Sequence, residues 1–207
     1  MSDSRERDDM RKLKLSMHIT VDGFVAGPNG ELDWMTQEVD DKFRTDFLAF
    51  TDSFDTILMG RKMTAGFMDY WTKAVKDPEH QWYAIAERMV DYSKIVFTKT
   101  LDEVPSSWPN TTLAKGNIVD EVNRAKNRDG KDIVVYGGAG FVSSLIKHNL
   151  LDEYHFFVEP AAIGSGMTIF KDVGRQFDLK QLDATPYACG ITHHRFLPAR
   201  ARAATSA

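Results

Sequence analysis

Two short glycine-bearing stretches hold the residue types best suited to binding an anion. The first is Gly137-Gly138-Ala139-Gly140, which follows the β-branched run Ile133-Val134-Val135-Tyr136 and precedes the apolar pattern Phe141, Val142, Leu145, Ile146. Strand, glycine turn and helix together bring backbone N–H groups up to a negatively charged ligand, since glycine permits close approach and a helix N-terminus favours anions. The second is Gly60-Arg61-Lys62, where a buried run ends in glycine and two cations open a helix. Cations oppose the macrodipole at that end, so their placement makes sense if a phosphate sits there; a solvated pair at an ordinary turn is the alternative. Asp22-Gly23 ends the first apolar run, and a carboxylate there can hold a polar substrate or move a proton, or simply make a turn. Trp34, after Asp33, can cover a ring-shaped ligand or anchor its own loop.

Other residues carry less. His193-His194 looks like a metal pair, but adjacent strand residues face opposite sides. No ligand spacing joins His18 or His155 to the remaining histidines, so no metal site is expected. Met59, Met63 and Met68 read as core filler. Gly138, Gly140 and Ser143 make a variant dinucleotide fingerprint, yet about five strands precede it, whereas that fingerprint belongs after the first strand.

The elements that must position these residues follow from periodicity. Leu13 to Val21 alternates as a strand, and Gly27-Pro28-Asn29-Gly30 makes a turn-rich loop. Helices are expected over 37–52, from Gly60 to about Tyr70, after Pro78 through Val90, from Asn117 as cap through Ala125, and over 139–148. Strands are expected at 56–59, 94–98, 111–114, 131–136, 154–158 and 191–197, with an imperfect alternation at Phe177, Leu179 and Leu182 that Pro186 breaks. The βαβα opening implies parallel crossovers, and the final two strands imply an antiparallel pair at a sheet edge.

A length of 207 residues suits one domain, placed at 12–197, with tails at Met1 to Arg11 and Pro198 to Ala207. A net charge of -4 argues against nucleic acid or an anionic membrane as main partner. The single Cys189 excludes an intrachain disulfide and fits a reducing cytoplasm. The sequence shows neither a bilayer-spanning run nor the apolar core of a leader.

The motifs also have a familiar order. Thr20-x-Asp22-Gly23-x-x-Ala26-Gly27, Leu58-Met59-Gly60-Arg61-Lys62, Val96-Phe97-Thr98-Lys99, Val135-Tyr136-Gly137-Gly138, Leu151-Asp152-Glu153 and Ile163-Gly164-x-Gly166-x-x-x-Phe170 succeed one another. This resembles the dihydrofolate reductase-like superfamily, most closely the reductase domain of riboflavin biosynthesis and its stand-alone homologues, over Lys12 to Phe196. The resemblance implies an α/β/α three-layer fold around a mixed sheet of about eight strands, NADPH as hydride donor, and a small-molecule substrate such as a ribosylaminopyrimidine. It implies that Gly60, Arg61 and Lys62 contact adenosine-side phosphates and that Thr98 and Lys99 hold the 2′-phosphate. Gly137, Gly138, Ala139 and Gly140 would cradle the pyrophosphate, Ala26 and Gly27 would border the nicotinamide, and Gly164 and Gly166 would lie near the groove. Asp22 is the candidate catalytic residue and, with Trp34, the substrate contact. A homodimer is expected. Two departures stand out: Tyr136 replaces the glutamate usual before the paired glycines, and the helix carboxylate of true dihydrofolate reductases lacks its usual context. A non-catalytic NADPH-binding or sensing protein, a true dihydrofolate reductase and a structural homodimer with empty glycine loops are the alternative readings.

Overall fold

The computed structural model describes residues 10–171, 173–174 and 176–199. Among the described residues, eight strands form one sheet: β1 (Leu13–Thr20), β2 (Phe54–Gly60), β3 (Ser93–Phe97), β4 (Thr111–Ala114), β5 (Asp132–Gly137), β6 (Glu153–Glu159), β7 (Leu179–Pro186) and β8 (Thr192–Pro198). Five helices among the described residues pack on it: α1 (Asp41–Thr51), α2 (Arg61–Ala74), α3 (Tyr83–Asp91), α4 (Ile118–Lys126) and α5 (Ala139–Lys147). The strand order is β4-β3-β2-β5-β1-β6-β8-β7. Every pair from β4 through β6 is parallel, and β8 runs antiparallel between β6 and β7. The expected parallel opening and antiparallel edge pair are therefore both present.

Two apolar layers cover the sheet. Phe43 and Phe47 of α1, Met68 of α2, and Ile85 and Met89 of α3 pack on one face with Ile57, Met59, Val134 and Phe157. Val122 and Ala125 of α4 and Val142, Leu145 and Ile146 of α5 pack on the other with Leu13, Leu15, Leu58, Ile133 and Val135. Alternate residues of the central strands thus enter opposite cores, which is why these strands read as continuous apolar runs. The helix after β2 joins the first layer and the helix after β5 joins the second, although β2 and β5 are neighbours. Such a reversal opens a crevice beyond the strand ends, where ligands of α/β sheets bind.

Several boundaries move for identifiable reasons. The helix expected from residue 37 begins at Asp41, because the Asp40 carboxylate accepts from Phe43 N at 3.0 Å and caps it. The next helix runs past Tyr70 to Ala74, where Met68 and Ala74 are buried. The imperfect alternation near Leu182 is a register shift between Gln181 and Asp183 in β7. Asn117 caps α4 as expected, accepting from Val119 N. The assignment of Arg11 to a tail is corrected: its guanidinium is buried and bonds Asp55, Thr56 and the carbonyl oxygens of Lys131 and Asp132. Pro198 likewise leaves the tail for the sheet, opposite Leu179. The rest of the expected tails lies outside the described residues, apart from Met10 and Ala199.

Candidate active site

The two glycine stretches, 77 positions apart in sequence numbering from Gly60 to Gly137, meet at that crevice. Met59 pairs with Gly137 across β2 and β5. Gly137 has φ +144° and joins Gly138 through a cis peptide bond. A Cβ on Gly60 would lie 2.9 Å from Phe141 Cβ and 3.5 Å from Gly138 N, so only glycine allows this approach without displacement. A Cβ on Gly137 would lie 3.2 Å from Met63 Sδ.

Both turns open helices that lack a side-chain cap. Gly60 is the N-cap of α2 and Gly138 the N-cap of α5, and neither first turn holds an acidic residue. By contrast, α1 and α4 are capped by Asp40 and Asn117 and carry acidic residues in their first turns, while α3, entered from Trp82, shares the lack of both, so what marks α2 and α5 is that their N-termini meet at the glycine turns. The uncapped first-turn N–H groups of α2 and α5 are therefore left to a ligand or to water. Arg61 and Lys62 are exposed beside them, as are Ala139's neighbour Gly140 and, at the end of β3, Lys99. Thr98 is buried, and its hydroxyl accepts from Thr100 N and Leu101 N, so it shapes the turn that presents Lys99. Phe97 and Phe141, with ring centroids 4.7 Å apart, tie that turn to α5.

The loop after β1 forms the next part of the same edge. Asp22 accepts from Ile163 N at 3.0 Å, from Gly164 N at 2.7 Å and from the Thr20 hydroxyl. The Thr20 bond, with the two backbone bonds, holds the Asp22 carboxyl below its usual range against the opposing effect of desolvation. Asp22 thus stays a carboxylate and clasps the 163–164 turn, whose Gly164 has φ +70°. Val25 N donates to Met167 O and Met167 N to Ala26 O, so the two loops pair as a short bridge. Gly166 is required there, because a Cβ would sit 2.2 Å from Ala26 O. Gly27 packs against the Glu31 side chain, and half-buried Trp34 donates from Nε1 to Glu31 O at 3.1 Å.

One pair escaped sequence reasoning. His18 Nδ1 lies 2.5 Å from Glu159 Oε1, and Glu159 Oε2 accepts from Thr36 N at 3.0 Å. Burial opposes ionisation of Glu159, but the bonds from His18 and Thr36 outweigh it and hold the carboxyl below its ordinary value. The partners are 141 residues apart and meet only because β1 pairs with β6, so no local spacing announces them. Tyr136 also differs from a carboxylate in surroundings: its ring packs 5.8 Å from that of Phe67, and burial pushes its hydroxyl's titration up. His193 and His194 do face opposite sides, stacking on Phe157 and Phe196 respectively. Two cavities, of about 380 and 470 Å³, open at the opposite edge of the sheet, beside Asp55 and Tyr92 and beside Glu153 and Arg195. The strand-end crevice, not either cavity, collects the glycine turns.

The chain matches the family model of the RibD C-terminal domain over residues 11–193, and it belongs to that family. It is 33% identical over 187 residues to the uncharacterized protein YyaP of Bacillus subtilis, covering 87% of this chain and 92% of that protein. Among solved structures it is similar to a putative riboflavin biosynthesis protein from Shewanella sp. PV-4, with TM-score 0.70 and 20% identity over 92% of this chain and 100% of the other. It is also similar to the Thermotoga maritima diaminohydroxyphosphoribosylaminopyrimidine deaminase/5-amino-6-(5-phosphoribosylamino)uracil reductase, with TM-score 0.65 and 18% identity over 93% of this chain and 58% of that one. The fold is dihydrofolate reductase-like α/β, and the family is a reductase domain, which supports an oxidoreductase role. Among the described residues, no helix is long and apolar enough to cross a membrane.

Proposed function

We propose that this protein is a stand-alone NADPH-dependent reductase acting on a small polar heterocycle of the ribosylaminopyrimidine kind. The observation that carries this reading is the pair of uncapped, acid-free helix N-termini at Gly60 and Gly138, side by side where the helices leave opposite faces of the sheet. A dinucleotide with two phosphate groups and a further 2′-phosphate fits that charge pattern. In this reading Gly137, Gly138, Ala139 and Gly140 hold the pyrophosphate, and Gly60, Arg61 and Lys62 the adenosine-side phosphate. Lys99, presented by Thr98, completes the 2′-phosphate site. Ala26 and Gly27 border the reactive ring, on a loop that Asp22 fixes against Gly164.

When bound, the cofactor supplies hydride; the chain supplies orientation, charge and exclusion of water. The test is loss of reduced-nicotinamide absorbance with wild-type protein, NADPH and a panel of ribosylaminopyrimidines, pteridines and quinonoid compounds. Oxidation with a ribosylaminopyrimidine is the expected result. Cofactor binding without oxidation across the panel would favour a binding or sensing role instead.

A further inference from the structure

The His18–Glu159 pair has the geometry of a proton-handling dyad. His18 lies near the end of β1, and its ring stacks on Phe157 at 5.0 Å and 22°. Phe43 and Phe47 of α1 meet the ring at 6.5 Å each, so apolar contacts fix its plane. The Glu159 side chain is fully buried, whereas that of His18 is 24% exposed. A carboxylate is acceptor-only, so a neutral ring bonded to it carries its proton on Nδ1. Nε2 then faces away from Glu159, and among the described residues no hydrogen bond to it is found. The dyad also lies by the crevice. Glu159 pairs with Thr20, two residues before Asp22, at the same strand end of the sheet as the Gly137 turn.

A buried carboxylate costs several kcal/mol of desolvation unless it is well partnered, so stability alone is a poor reason to place one here. Clamping the 31–37 loop through Thr36 explains Oε2. It does not explain an imidazole with one nitrogen fixed and the other open. Asp22, the other acidic group of this edge, is committed to three internal hydrogen bonds.

We propose that His18 is the catalytic proton donor of this reductase and that Glu159 is its positioning residue, for substrates whose C=N or C=O carbon receives hydride. This rests on the reductase reading above. The substrate carbon accepts hydride, the π pair moves to the substrate nitrogen or oxygen, and that atom takes the Nε2 proton of doubly protonated His18. The substrate gains one hydride, which carries both electrons, and one proton from His18; the nicotinamide loses that hydride and is thereby oxidised by two electrons, and solvent reprotonates the neutral ring.

Two measurements on the full chain test it. Nitrogen-15 spectra of the histidine rings in free protein should show His18 as the Nδ1–H tautomer, with that preference lost in Glu159→Gln. An Nε2–H tautomer in wild type would overturn the proposal. Kinetics with NADPH and 5-amino-6-(5-phosphoribosylamino)uracil form the second arm. His18→Gln should lower kcat by about 100-fold with KM changed by less than about threefold. Added imidazole should partly rescue His18→Ala, a response that a purely structural role would not give. An unchanged kcat in folded His18→Gln would overturn the donor while leaving the reductase reading intact. Wild type that oxidises NADPH with no member of the panel would overturn the reductase reading itself, and the donor with it.

Discussion

At the scale of single residues, glycines at this crevice are defined by what a Cβ would strike. Gly166 is the sharpest case, since the obstacle at 2.2 Å is the Ala26 carbonyl oxygen rather than a movable side chain. Gly166→Ala is expected to cost ~1–3 kcal/mol and to part the loop that Asp22 holds. Urea denaturation gives the first quantity, and faster proteolysis within 21–27 reports the second; unchanged values for both would show that the loop pairing is dispensable. Arg61, Lys62 and Lys99 are solvent-exposed, so their expected effect is on the ligand and not on the fold. Wild type should prefer NADPH to NADH by about tenfold or more, equal to ~1.4 kcal/mol, and Arg61→Ala with Lys62→Ala should erase most of it. Equal affinities in wild type would remove the 2′-phosphate role from these cations. The glycine turns were legible in the sequence because each is local: a β-branched run, a glycine, then a helix pattern. His18 and Glu159 were not, because each is ordinary in its own segment and only strand pairing joins them.

At the scale of elements, β6 and β8 carry an unusual histidine ladder. His155 Nδ1 lies 2.9 Å from His193 Nε2, and His155 Nε2 lies 3.0 Å from Glu153 Oε1 in a poorly aligned contact. Arg195 closes the row on Glu153, and Lys14, Asp46 and His194 lie close enough to act on it by charge. Burial, then the charges of His155, Arg195 and His194, lower His193 to about 3. The close contact with His155, then the bond with Arg195, holds Glu153 at about 2 against burial. An unfolded chain protonates its histidines near 6.5 and its glutamates near 4.5. It therefore binds more protons than the folded chain throughout the intervening range, and stability falls as pH falls. The loss should begin below about pH 6.5 through His193 and His155 and deepen below about 4.5 through Glu153. His193→Gln, whose amide can still donate to His155 Nδ1, should flatten the first part of the melting temperature–pH curve. A wild-type curve that stays level from pH 7 to 4 would contradict this assignment. Periodicity located these strands to within a residue or two, but not the β7 register shift or the start of the domain. Arg11 looked like one more charge in a polar run, and its burial depends on Asp55 and on the carbonyl groups of Lys131 and Asp132.

At the scale of the molecule, the two apolar layers lie on opposite faces of the sheet, and the crevice is where a helix from each layer begins. A ligand held by the α2 and α5 N-termini would therefore connect both layers, and its binding energy would add to the stability of the whole domain. At a free concentration of about 100 times Kd, that addition is ~2.7 kcal/mol. For a domain of this size each kcal/mol raises the midpoint by about 2–4 °C, so saturating NADPH should raise it by roughly 5–10 °C. NADH at the same concentration should give a clearly smaller rise. Gly60→Ala tests the source of the effect, since its new methyl group would press on Phe141 Cβ and narrow the approach to Gly138. That variant should lose most of the NADPH-dependent shift while its ligand-free midpoint moves by only a few degrees. A full shift in Gly60→Ala would place the cofactor elsewhere, and no shift in wild type would mean that the paired helix N-termini serve the fold alone.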